Sequence, residues 1–498
     1  MNLPPTPQPS ALTVTALLDR AGRLFPTQSL VEVALNGTRR VHPLGDVVRD
    51  ALCLGRGLRA LGLPRGTAVA TLLGNHRPHL EAQLGVPAAG LVLHTLSPRH
   101  PEEALLAALR RAGDGALLAD ESTLPLARAL CAAAGIAHLV LVPGCEAPEA
   151  LSWSEVLARG ASLPDEPAPD EDAPAALYEA VHRPGQLRAC MASHRAVVLH
   201  AMACATVDGL GLGRRDVILP AMPLYHANGC GLPVVTALLG AKLVLLALGA
   251  DAARVRETLA AEGVTFAASV TSVWLELAEA LSARPDGPAL PAGLRLLAGG
   301  NAAPQGLVDA LKAHGVSLVH VYGMTETGPL ATASHEVCAQ GYAVPLMDLR
   351  IVDEAGTALA PGSVQTGEVQ LRGPWVAGSY LDEGATPDRW TDDGWLRTGD
   401  LGHRDAHGAL RLTGRLKPMI RCGGDWIDAS ALERLVCTHP MVSSARVRCV
   451  PHPRLVEQPA VEATLVAGAC LEADGLRAYL AERWAHGEAP PMVIELGA

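Results

Sequence analysis

The chain has 498 residues, of which 49% are hydrophobic and 18% are charged, and its formal net charge is −11. These values are typical of a folded protein with more than one packed layer, and they exclude an intrinsically disordered chain. Because the negative charge is spread along the sequence, it also argues against a general nucleic-acid binder.

The eleven cysteines form no C-x-x-C pair and no His/Cys cluster, which favours reduced thiols over a disulfide framework. The first ten residues lack the basic and apolar regions of a signal peptide. We therefore expect a cytoplasmic protein. The longest apolar run, residues 229–250, is interrupted by Pro233, Gly240 and Lys242. It predicts a buried helix, a turn and a strand, and not a membrane span.

Helix-like and strand-like segments alternate in the first third of the chain. Residues 46–63 have apolar residues at helical spacing, whereas 67–74, 115–120 and 138–144 are short apolar runs typical of buried strands. A second stretch of the same kind spans residues 196 to about 335. This alternation predicts an α/β fold with largely parallel sheets.

The pattern changes in the last third of the chain. Residues 345–415 contain short strands separated by turns, which predicts a β-rich subdomain. The segment from residue 419 onward predicts a small α+β unit. We find no internal repeat.

The decapeptide VYGMTETGPL (321–330) carries a hydroxyl and a carboxylate beside a glycine turn. Thr325 can hydrogen-bond a phosphate oxygen, and Glu326 can hold Mg²⁺ against that phosphate. The alternative interpretation is an ordinary strand and turn with a capping threonine.

Two further segments follow in order. DDGWLRTGDLG (392–402) places Asp400 after a glycine, where its carboxylate can accept hydrogen bonds from both hydroxyls of a ribose. LTGRLKPMIRCGGDWIDASALE (412–433) supplies Arg415, then Lys417, then a double-glycine turn. Each segment alone is consistent with an ordinary β-turn, but the order and spacing of all three are specific.

Together these segments resemble the AMP-forming adenylate synthetase superfamily, and the likeness runs from residue 17 to about residue 495. The chain looks similar to bacterial acyl-CoA ligases of the medium-chain fatty acid and methylthiopropionate type through residues 223–245, 262–277, 296–304 and 423–433. The resemblance implies a reaction in which a carboxylate attacks ATP to give acyl-AMP and pyrophosphate. The thiolate of CoA then attacks the adenylate.

The resemblance also implies the domain organisation. Residues 1–413 would form an N-terminal AMP-binding domain of parallel sheets with a β-rich subdomain. Residues 414–418 would form a hinge, and residues 419–498 a truncated α+β C-terminal domain. The small domain would rotate on the hinge between the two half-reactions.

The site residues are implied by position. The residues implied to bind the nucleotide are Gly299, Gly300, Asn301, Ala302, Tyr322, Thr325, Asp400 and Arg415. Tyr322 would stack on adenine, and Asp400 with Arg415 would hold the ribose. The implied catalytic residues are Thr325, Glu326 and the hinge residue Lys417, and Glu326 is also the implied metal ligand.

The acid and CoA sites follow in the same way. The implied substrate-binding residues are His226, Asn228, Trp274 and Gly323. Gly423 and Gly424 would edge the pantetheine tunnel. Trp274 is as consistent with a core tryptophan as with a pocket wall. The implied cofactors are AMP or ATP, CoA and Mg²⁺.

The family's phosphate loop is the part that this sequence does not keep. That loop reads Thr-Ser-Gly-Thr-Thr-Gly-x-Pro-Lys-Gly, and residues 180–189 stand at its positions as Ala-Val-His-Arg-Pro-Gly-Gln-Leu-Arg-Ala. The hydroxyls are gone and Gly185 is the glycine that remains, so the compact donors that close on phosphates are missing. His182, Arg183 and Arg188 supply positive charge from longer side chains. We expect a poor ATP site here.

The family's terminal Pro-x-x-x-x-Gly-Lys motif is not found either. The lysines of this sequence are Lys242, Lys312 and Lys417. Losing a positioned cation of this kind costs on the order of 10²–10³ in rate. Pro418 follows the hinge lysine, where it would stiffen the rotation.

Three hypotheses stay open. The first is an acyl-CoA ligase-like enzyme that binds an adenylate and a carboxylic (fatty) acid, with an impaired or altered ATP-dependent step. The second is a non-catalytic binding or regulatory paralogue docked on a partner acyl-transfer enzyme, and the third is a decayed remnant. We expect a small-molecule carboxylate or acyl-adenylate as ligand, no nucleic acid and no membrane span.

Overall fold

The computed structural model describes residues 11–183, 186–299, 303–335, 340–363, 365–381, 389–416, 419–422, 425–466, 468–484 and 492–497. The helices, α1 to α13 in chain order, are Val14–Leu24, Leu44–Ala60, Arg77–Ala88, Glu102–Ala112, Leu124–Ala134, Trp153–Ala161, His194–Ala205, Ala227–Leu239, Ala252–Glu262, Thr271–Ala283, Gln305–Ala313, Ala429–Val436 and Ala473–Arg483. A 3₁₀ turn spans Thr325–Thr327.

The strands, β1 to β25 in chain order, are Ser29–Val33, Arg39–Pro43, Ala68–Leu72, Val92–Thr95, Ala116–Ala119, His138–Leu141, Leu151–Ser152, Pro174–Arg183, Gln186–Ser193, Val217–Pro220, Lys242–Leu246, Phe266–Val270, Arg295–Gly299, Ser317–Tyr322, Thr332–Ser334, Tyr342–Ala343, Asp348–Val352, Gly367–Arg372, Leu396–Arg404, Leu410–Arg415, Met419–Cys422, Asp425–Asp428, Val442–His452, Val456–Leu465 and Val493–Gly497.

The first parallel sheet is built from the N-terminal part of the chain. Its strand order is β7–β6–β5–β3–β4–β8–β9, and all neighbours are parallel except β8 and β9, which form an antiparallel hairpin. The strands predicted at 67–74, 115–120 and 138–144 are β3, β5 and β6. β3, β4 and β5 are buried along their whole length, as expected for parallel strands covered on both faces.

The second sheet has the strand order β16–β15–β14–β13–β12–β10–β11–β1–β2. The strands from β14 to β1 in this order are parallel, and β2, β15 and β16 are antiparallel additions at the edges. The apolar run at 229–250 forms helix α8, a left-handed turn at Gly240 and strand β11, as predicted. Within the described ranges, no helix is both long and apolar enough to cross a membrane.

Helix α2 packs very closely against α3 and α6 because glycines lie at the contacts. A Cβ added at Gly85 of α3 would lie 2.0 Å from the carbonyl oxygen of Ala51. A Cβ added at Gly160 of α6 would lie 1.8 Å from the carbonyl oxygen of Cys53. Both distances are sterically impossible, so these helices can approach so closely only with glycine at these positions.

Two smaller sheets complete the chain. The antiparallel sheet β17–β18–β19–β20 is the β-rich region predicted for residues 345–415. Strands β21 to β25 form a mostly antiparallel sheet that packs with α12 and α13 around its own core. The predicted fold class, an α/β domain of parallel sheets with a smaller C-terminal α+β domain, is confirmed.

Four charged side chains tie the β8–β9 hairpin to the first sheet, and we call them the His94 network. Those of His94, Asp114 and Glu179 are buried, and that of Arg111 is partly exposed. The His94 ring on β4 contacts Asp114 through Nδ1 (2.8 Å) and Glu179 of β8 through Nε2 (3.0 Å). Arg111 of α4 donates to both oxygens of Glu179 (2.7 and 2.8 Å) and to the Leu187 carbonyl of β9 (3.1 Å). Burial alone lowers the pKa of His94, but the facing carboxylates outweigh it and raise this pKa to about 10. The ring is therefore a cation that donates from both nitrogens.

We expect Glu179→Gln to lower the free energy of unfolding by about 3 kcal/mol, because the two cations His94 and Arg111 are then left with one carboxylate. Urea unfolding followed by circular dichroism measures the change. The control is Glu149→Gln, which removes the exposed partner of Arg128 and should cost less than about 1 kcal/mol. Equal losses in the two variants would contradict a stabilising role for the network.

Candidate functional site

The candidate site lies at the carboxyl ends of β13 and β14. Gly299 ends β13 and Tyr322 ends β14, and the register pairs Gly299 with Val321, so the two strand ends lie side by side. Ligands of open α/β sheets bind in crevices at this edge. The chain runs from β14 directly into the 3₁₀ turn Thr325–Thr327, which brings the motif at 321–330 to the same edge.

Three of the predicted nucleotide-binding residues meet here. Asp400 of β19 is buried, and its Oδ2 accepts a hydrogen bond from the Tyr322 hydroxyl (2.7 Å). Its Oδ1 lies 2.8 Å from Nε of Arg415, which faces Asp400 in the β19–β20 register. Burial raises the pKa of Tyr322 well above its ordinary value, so this phenol is a neutral donor. The result is a buried carboxylate held from two sides by fixed donors.

Glu326, the predicted metal ligand, is buried and already has partners. Its Oε1 accepts a hydrogen bond from the Tyr380 hydroxyl (2.5 Å) and lies 3.2 Å from Nη2 of Arg389. Burial lowers the pKa of Arg389, but Glu326 and Tyr380 outweigh burial and raise it. Burial also raises the pKa of Tyr380. Both partners therefore keep their protons at neutral pH.

The donors around Glu326 do not fit Mg²⁺. This cation takes oxygen ligands, whereas Oε1 of Glu326 faces a guanidinium with a permanent positive charge. In the part of the chain that the structure describes, no group of three or more His, Cys, Asp or Glu side chains could hold a metal ion. The positive charge at this carboxylate comes from Arg389.

Of the positions of the family's phosphate loop, residues 180–183 lie in β8 and residues 186–189 lie in β9, whereas residues 184 and 185 are outside the described part of the chain. Strand β8 ends at Arg183 and β9 begins at Gln186, and these two residues pair with each other. Farther from the turn, Ala180 pairs with Arg188. Paired strands direct their hydrogen-bonding groups sideways within the sheet, whereas an anion-binding loop gathers successive N–H groups around one point.

Arg188, at the position of the loop lysine, packs against an aromatic ring. It is buried, and its guanidinium carbon lies 5.4 Å from the centroid of the Tyr380 ring. The backbone of Tyr380 forms an isolated antiparallel β-bridge with that of Cys190 in β9. The hydroxyl of Tyr380 donates a hydrogen bond to Glu326. Tyr380 therefore links the β8–β9 hairpin to the 3₁₀ turn.

A small cavity of about 30 Å³ lies between the β8–β9 hairpin, helices α7 and α8, and the 3₁₀ turn. Its wall is mostly apolar and includes Met191, Val197 and Trp375, and Thr325 and Glu326 also reach it. A concave, mostly apolar wall with a few polar groups is typical of a small-molecule site.

His200 of α7 lines this cavity as a neutral ring. Burial lowers its pKa to about 4, and its ring makes an edge-on contact with Trp375 at 6.0 Å between centroids. A Cβ added at Gly231 would lie 2.6 Å from Cε1 of His200, so glycine leaves room for the ring. Burial raises the pKa of Cys190, another wall residue, well above its ordinary value. Cys190 is thus a thiol and not a nucleophilic thiolate at neutral pH.

Comparison with known proteins decides the family. The family model described as AMP-binding enzyme matches residues 32–381. This chain belongs to the AMP-binding enzyme family. A long-chain-fatty-acid–CoA ligase of Thermus thermophilus is 37% identical over 473 residues, which cover 92% of this chain and 86% of that protein. A 3-methylmercaptopropionyl-CoA ligase of Ruegeria pomeroyi is 31% identical over 507 residues, which cover 97% of this chain and 93% of that protein.

Solved structures agree on the fold. An amide bond synthetase from Marinactinospora thermotolerans aligns with a TM-score of 0.80 at 23% identity, over 96% of this chain and 95% of that chain. An anthranilate CoA ligase in complex with anthranoyl-AMP aligns with a TM-score of 0.75 at 20% identity, over 98% of this chain and 94% of that chain. The resemblance to acyl-CoA ligases is confirmed, and the chain is an acyl-CoA ligase-like member of this adenylate-forming family. Such enzymes generally use ATP, CoA and Mg²⁺.

The structure locates three of the predicted acid-site residues for this AMP-binding protein. A Cβ at Gly323 would lie 2.4 Å from the carbonyl oxygen of Pro329, so the turn after β14 needs a glycine. His226 immediately precedes α8, next to the cavity wall. Trp274 is fully buried in the core behind the second sheet, and its Nε1 donates to the Leu297 carbonyl (2.7 Å). It is not part of the described cavity wall, so the geometry favours the alternative of a core tryptophan.

Other predicted residues lie outside the described part of the chain, namely Gly185, Gly300, Asn301, Ala302, Lys417, Gly423 and Gly424. The backbones of His182 and Arg183 belong to β8 and that of Asn228 belongs to α8, but their side chains also lie outside the described part. The roles of all these residues stay predictions.

Sequence reasoning missed Tyr380, Arg389 and His200. Tyr380 and Arg389 are 54 and 63 residues from Glu326 in the chain, so no local spacing links them to it. The available signal was aromatic scarcity, because a chain with six tyrosines and two phenylalanines is expected to use each ring for a specific contact.

We expect the stability of this protein to fall as the pH drops from 6.5 towards 4, because the unfolded chain takes up a proton at His200 before the folded chain does. The contribution of His200 is fully present above pH 6.5 and amounts to about 3 kcal/mol. Urea unfolding at pH 7 and pH 4.5 measures this, and His200→Gln should reduce the loss of stability between these two pH values by about 2–3 kcal/mol. His79 and His194, whose pKa values burial also lowers, should maintain the remaining pH dependence. The control is His407→Gln, which removes an exposed histidine and should show the same pH dependence as the natural protein. A dependence unchanged in His200→Gln would refute the buried neutral ring.

Proposed function

We propose that this chain binds the adenylate of a carboxylic acid and transfers the acyl group to CoA, as an acyl-CoA ligase-like enzyme with an impaired ATP-dependent step. The observation that carries this proposal is the cluster of Tyr322, Asp400 and Arg415 at the carboxyl ends of the parallel strands. Ligands of open α/β sheets bind at this edge, so a buried carboxylate held there by fixed donors is better explained as a nucleoside-binding group than as part of the sheet's core.

Ribose binding follows from the chemistry of Asp400. An ionised carboxylate can accept about four hydrogen bonds, and two of them come from Tyr322 and Arg415. The two that are left match the two hydroxyls of a ribose. Hydrogen bonds to a charged group each contribute about 1.5–3 kcal/mol, so this contact would supply a large share of the affinity for AMP.

The cavity beside the 3₁₀ turn is the proposed acid site. Its wall is mostly apolar, which suits the polarity of an alkyl chain, although at about 30 Å³ the cavity must widen to admit one. Thr325 at the same wall would meet the carboxyl or phosphoryl group. The similar proteins from Thermus thermophilus and Ectopseudomonas oleovorans are named as long-chain and medium-chain fatty-acid–CoA ligases. We therefore propose a fatty acid as the acyl part of the ligand.

The ATP-dependent step is the part that we propose to be impaired. The triphosphate needs donors that close around the β- and γ-phosphates. At the corresponding positions the chain has paired strands, with Arg188 packed on Tyr380. A protein of this kind keeps the adenylate end of the reaction and starts from acyl-AMP.

Acyl transfer would use the C-terminal part of the chain. We propose an N-terminal domain of residues 1–413, a hinge at 414–418 and a C-terminal domain at 419–498, with the double glycine after β21 bordering the path of CoA. Arg454 of the small domain lies 3.6 Å from Glu279 of α10. This ion pair is exposed and contributes less than about 1 kcal/mol, so it would not prevent a rotation.

A second candidate function is a non-catalytic binding protein for the same adenylate, docked on a partner acyl-transfer enzyme. It is favoured by two observations, the paired strands at the described loop positions and the ion pair between Glu326 and Arg389. The two candidates differ in one property, which is turnover of acyl-AMP with CoA.

We expect Asp400→Asn to weaken AMP binding by about tenfold or more, because a charged acceptor for the ribose is lost. Isothermal titration calorimetry with AMP measures the affinity. The matched control is Asp348→Asn, since Asp348 also faces an arginine, Arg372, across two strands of the same sheet but is exposed. Asp348→Asn should bind AMP as the natural protein does. An equal loss of affinity in both variants would argue against a ribose contact at Asp400.

We expect weak ATP–pyrophosphate exchange by the natural protein with C4–C12 carboxylic acids, and exchange about 10²-fold faster after the loop chemistry is restored. The restored variant carries Ala180→Thr, Val181→Ser, His182→Gly, Arg183→Thr, Pro184→Thr and Arg188→Lys. Arg188→Lys alone is the control, and it should stay close to the natural protein.

A parallel assay supplies synthetic acyl-AMP and CoA and measures thioester formation by the natural protein. Thioester without exchange supports the proposed enzyme. Binding of acyl-AMP without thioester supports the binding protein. Robust exchange by the natural protein would refute the impaired step and indicate an ordinary ligase.

A further inference from the structure

Glu326 and Arg389 form a buried ion pair at the wall of the cavity. Glu326 is 6% exposed and reaches the cavity beside Thr325. Nη2 of Arg389 lies 3.2 Å from its Oε1, and the same oxygen accepts the Tyr380 hydroxyl. An unpaired carboxylate in this position would repel a phosphate group, but the guanidinium of Arg389 offsets the negative charge of Glu326.

Arg389 is fixed beside this carboxylate by hydrogen bonds to the β19 backbone. Its Nη1 donates to the Thr398 carbonyl (3.2 Å), and its backbone carbonyl accepts the amide of Arg397 (2.9 Å) at the start of β19. Its Nε is buried and has no hydrogen-bond partner among the described residues. A buried unsatisfied donor of this kind needs an explanation, and a functional role is a common one.

A second cation lies on the other side of Tyr380. The guanidinium of Arg188 packs over the tyrosine ring, and the hydroxyl of that ring contacts Glu326. Arg389 contacts Glu326 directly, whereas Arg188 contacts the ring of Tyr380, which in turn hydrogen-bonds Glu326. A divalent cation brought to this carboxylate would meet fixed positive charge in a poorly screened interior.

We propose that Arg389 replaces a divalent cation as the countercharge of Glu326, so that the site binds a nucleoside monophosphate or its acyl ester without Mg²⁺. This inference rests on the proposed function, because it takes the adenylate as the ligand. Arg389 is a positioning residue, since it acts on the ligand through Glu326. A triphosphate, which is carried into such sites with Mg²⁺, is correspondingly disfavoured.

The first test uses the natural protein. Calorimetric titration with AMP is run once with MgCl₂ and once with EDTA, and we expect dissociation constants within twofold of each other. Mn²⁺ titration followed by electron paramagnetic resonance counts bound metal directly, and we expect no Mn²⁺ bound at this site with or without AMP. AMP affinity that rises tenfold or more with Mg²⁺, or one Mn²⁺ bound together with AMP, would overturn the inference.

Variants then test the role of Arg389 itself. Arg389→Gln leaves Glu326 as a buried carboxylate with the Tyr380 hydroxyl but without its positive partner. We therefore expect this variant to bind Mn²⁺ and to need Mg²⁺ for AMP binding, with at least a tenfold difference between Mg²⁺ and EDTA. The double variant Arg389→Gln with Glu326→Gln should lose the Mn²⁺ signal again. The control is Arg397→Gln, because Arg397 forms a more exposed pair with Glu368 (3.8 Å), and it should behave as the natural protein does.

The outcomes separate this inference from the proposed function. If the natural protein binds no AMP in either buffer, the proposed function fails and the inference fails with it. If AMP binds only with Mg²⁺, the proposed function stands and the inference fails. If Arg389→Gln is folded and shows no metal dependence, Arg389 is not the countercharge and the inference fails. If Arg389→Gln does not fold, the titrations of the natural protein decide.

Discussion

The β8–β9 hairpin is held by charges that cannot leave the interior. His94, Asp114, Arg111 and Glu179 neutralise one another beneath it, and Arg111 also binds the backbone of β9. Since His94, Asp114 and Glu179 are buried, removing one of these three leaves its partner without a countercharge, at a cost of several kcal/mol. The hairpin is therefore a fixed wall, and the cavity, the bridge to Tyr380 and the contacts of Glu326 all depend on its position.

The site has two halves with different chemistry. In the half that we propose for the nucleoside, the buried carboxylate of Asp400 is held by Tyr322 and Arg415. In the half that we propose for the phosphate, Oε1 of Glu326 already has an arginine as its countercharge, and the neighbouring backbone is paired in a hairpin. A ligand with one phosphate suits this combination better than a ligand with three. This is why we propose that the chemistry of this chain starts from an adenylate.

Exposure separates the interactions that shape the site from those that do not. The ion pairs of Glu326, Asp400 and Glu179 are each made by a carboxylate that is less than a tenth exposed. Pairs such as Asp348 with Arg372 join the same types of side chain at the surface, where water and salt screen them. Matched substitutions in the two classes therefore test the site without changing the kind of residue removed.

The sequence by itself determined the α/β class, the change to a β-rich region after residue 345 and the family. It also singled out Tyr322, Asp400 and Arg415, which the structure brings together. These follow from hydrophobic periodicity, which is a local property, and from short motifs whose spacing can be read directly from the sequence. Only the tertiary structure decided that the loop positions form a hairpin, that Trp274 lies in the core, and that Arg389 and Tyr380 hold Glu326. The physical reason is distance along the chain. Tyr380 and Arg389 are more than fifty residues from Glu326 in the chain, and they contact it because of how the sheets pack. No local spacing in the sequence indicates these contacts.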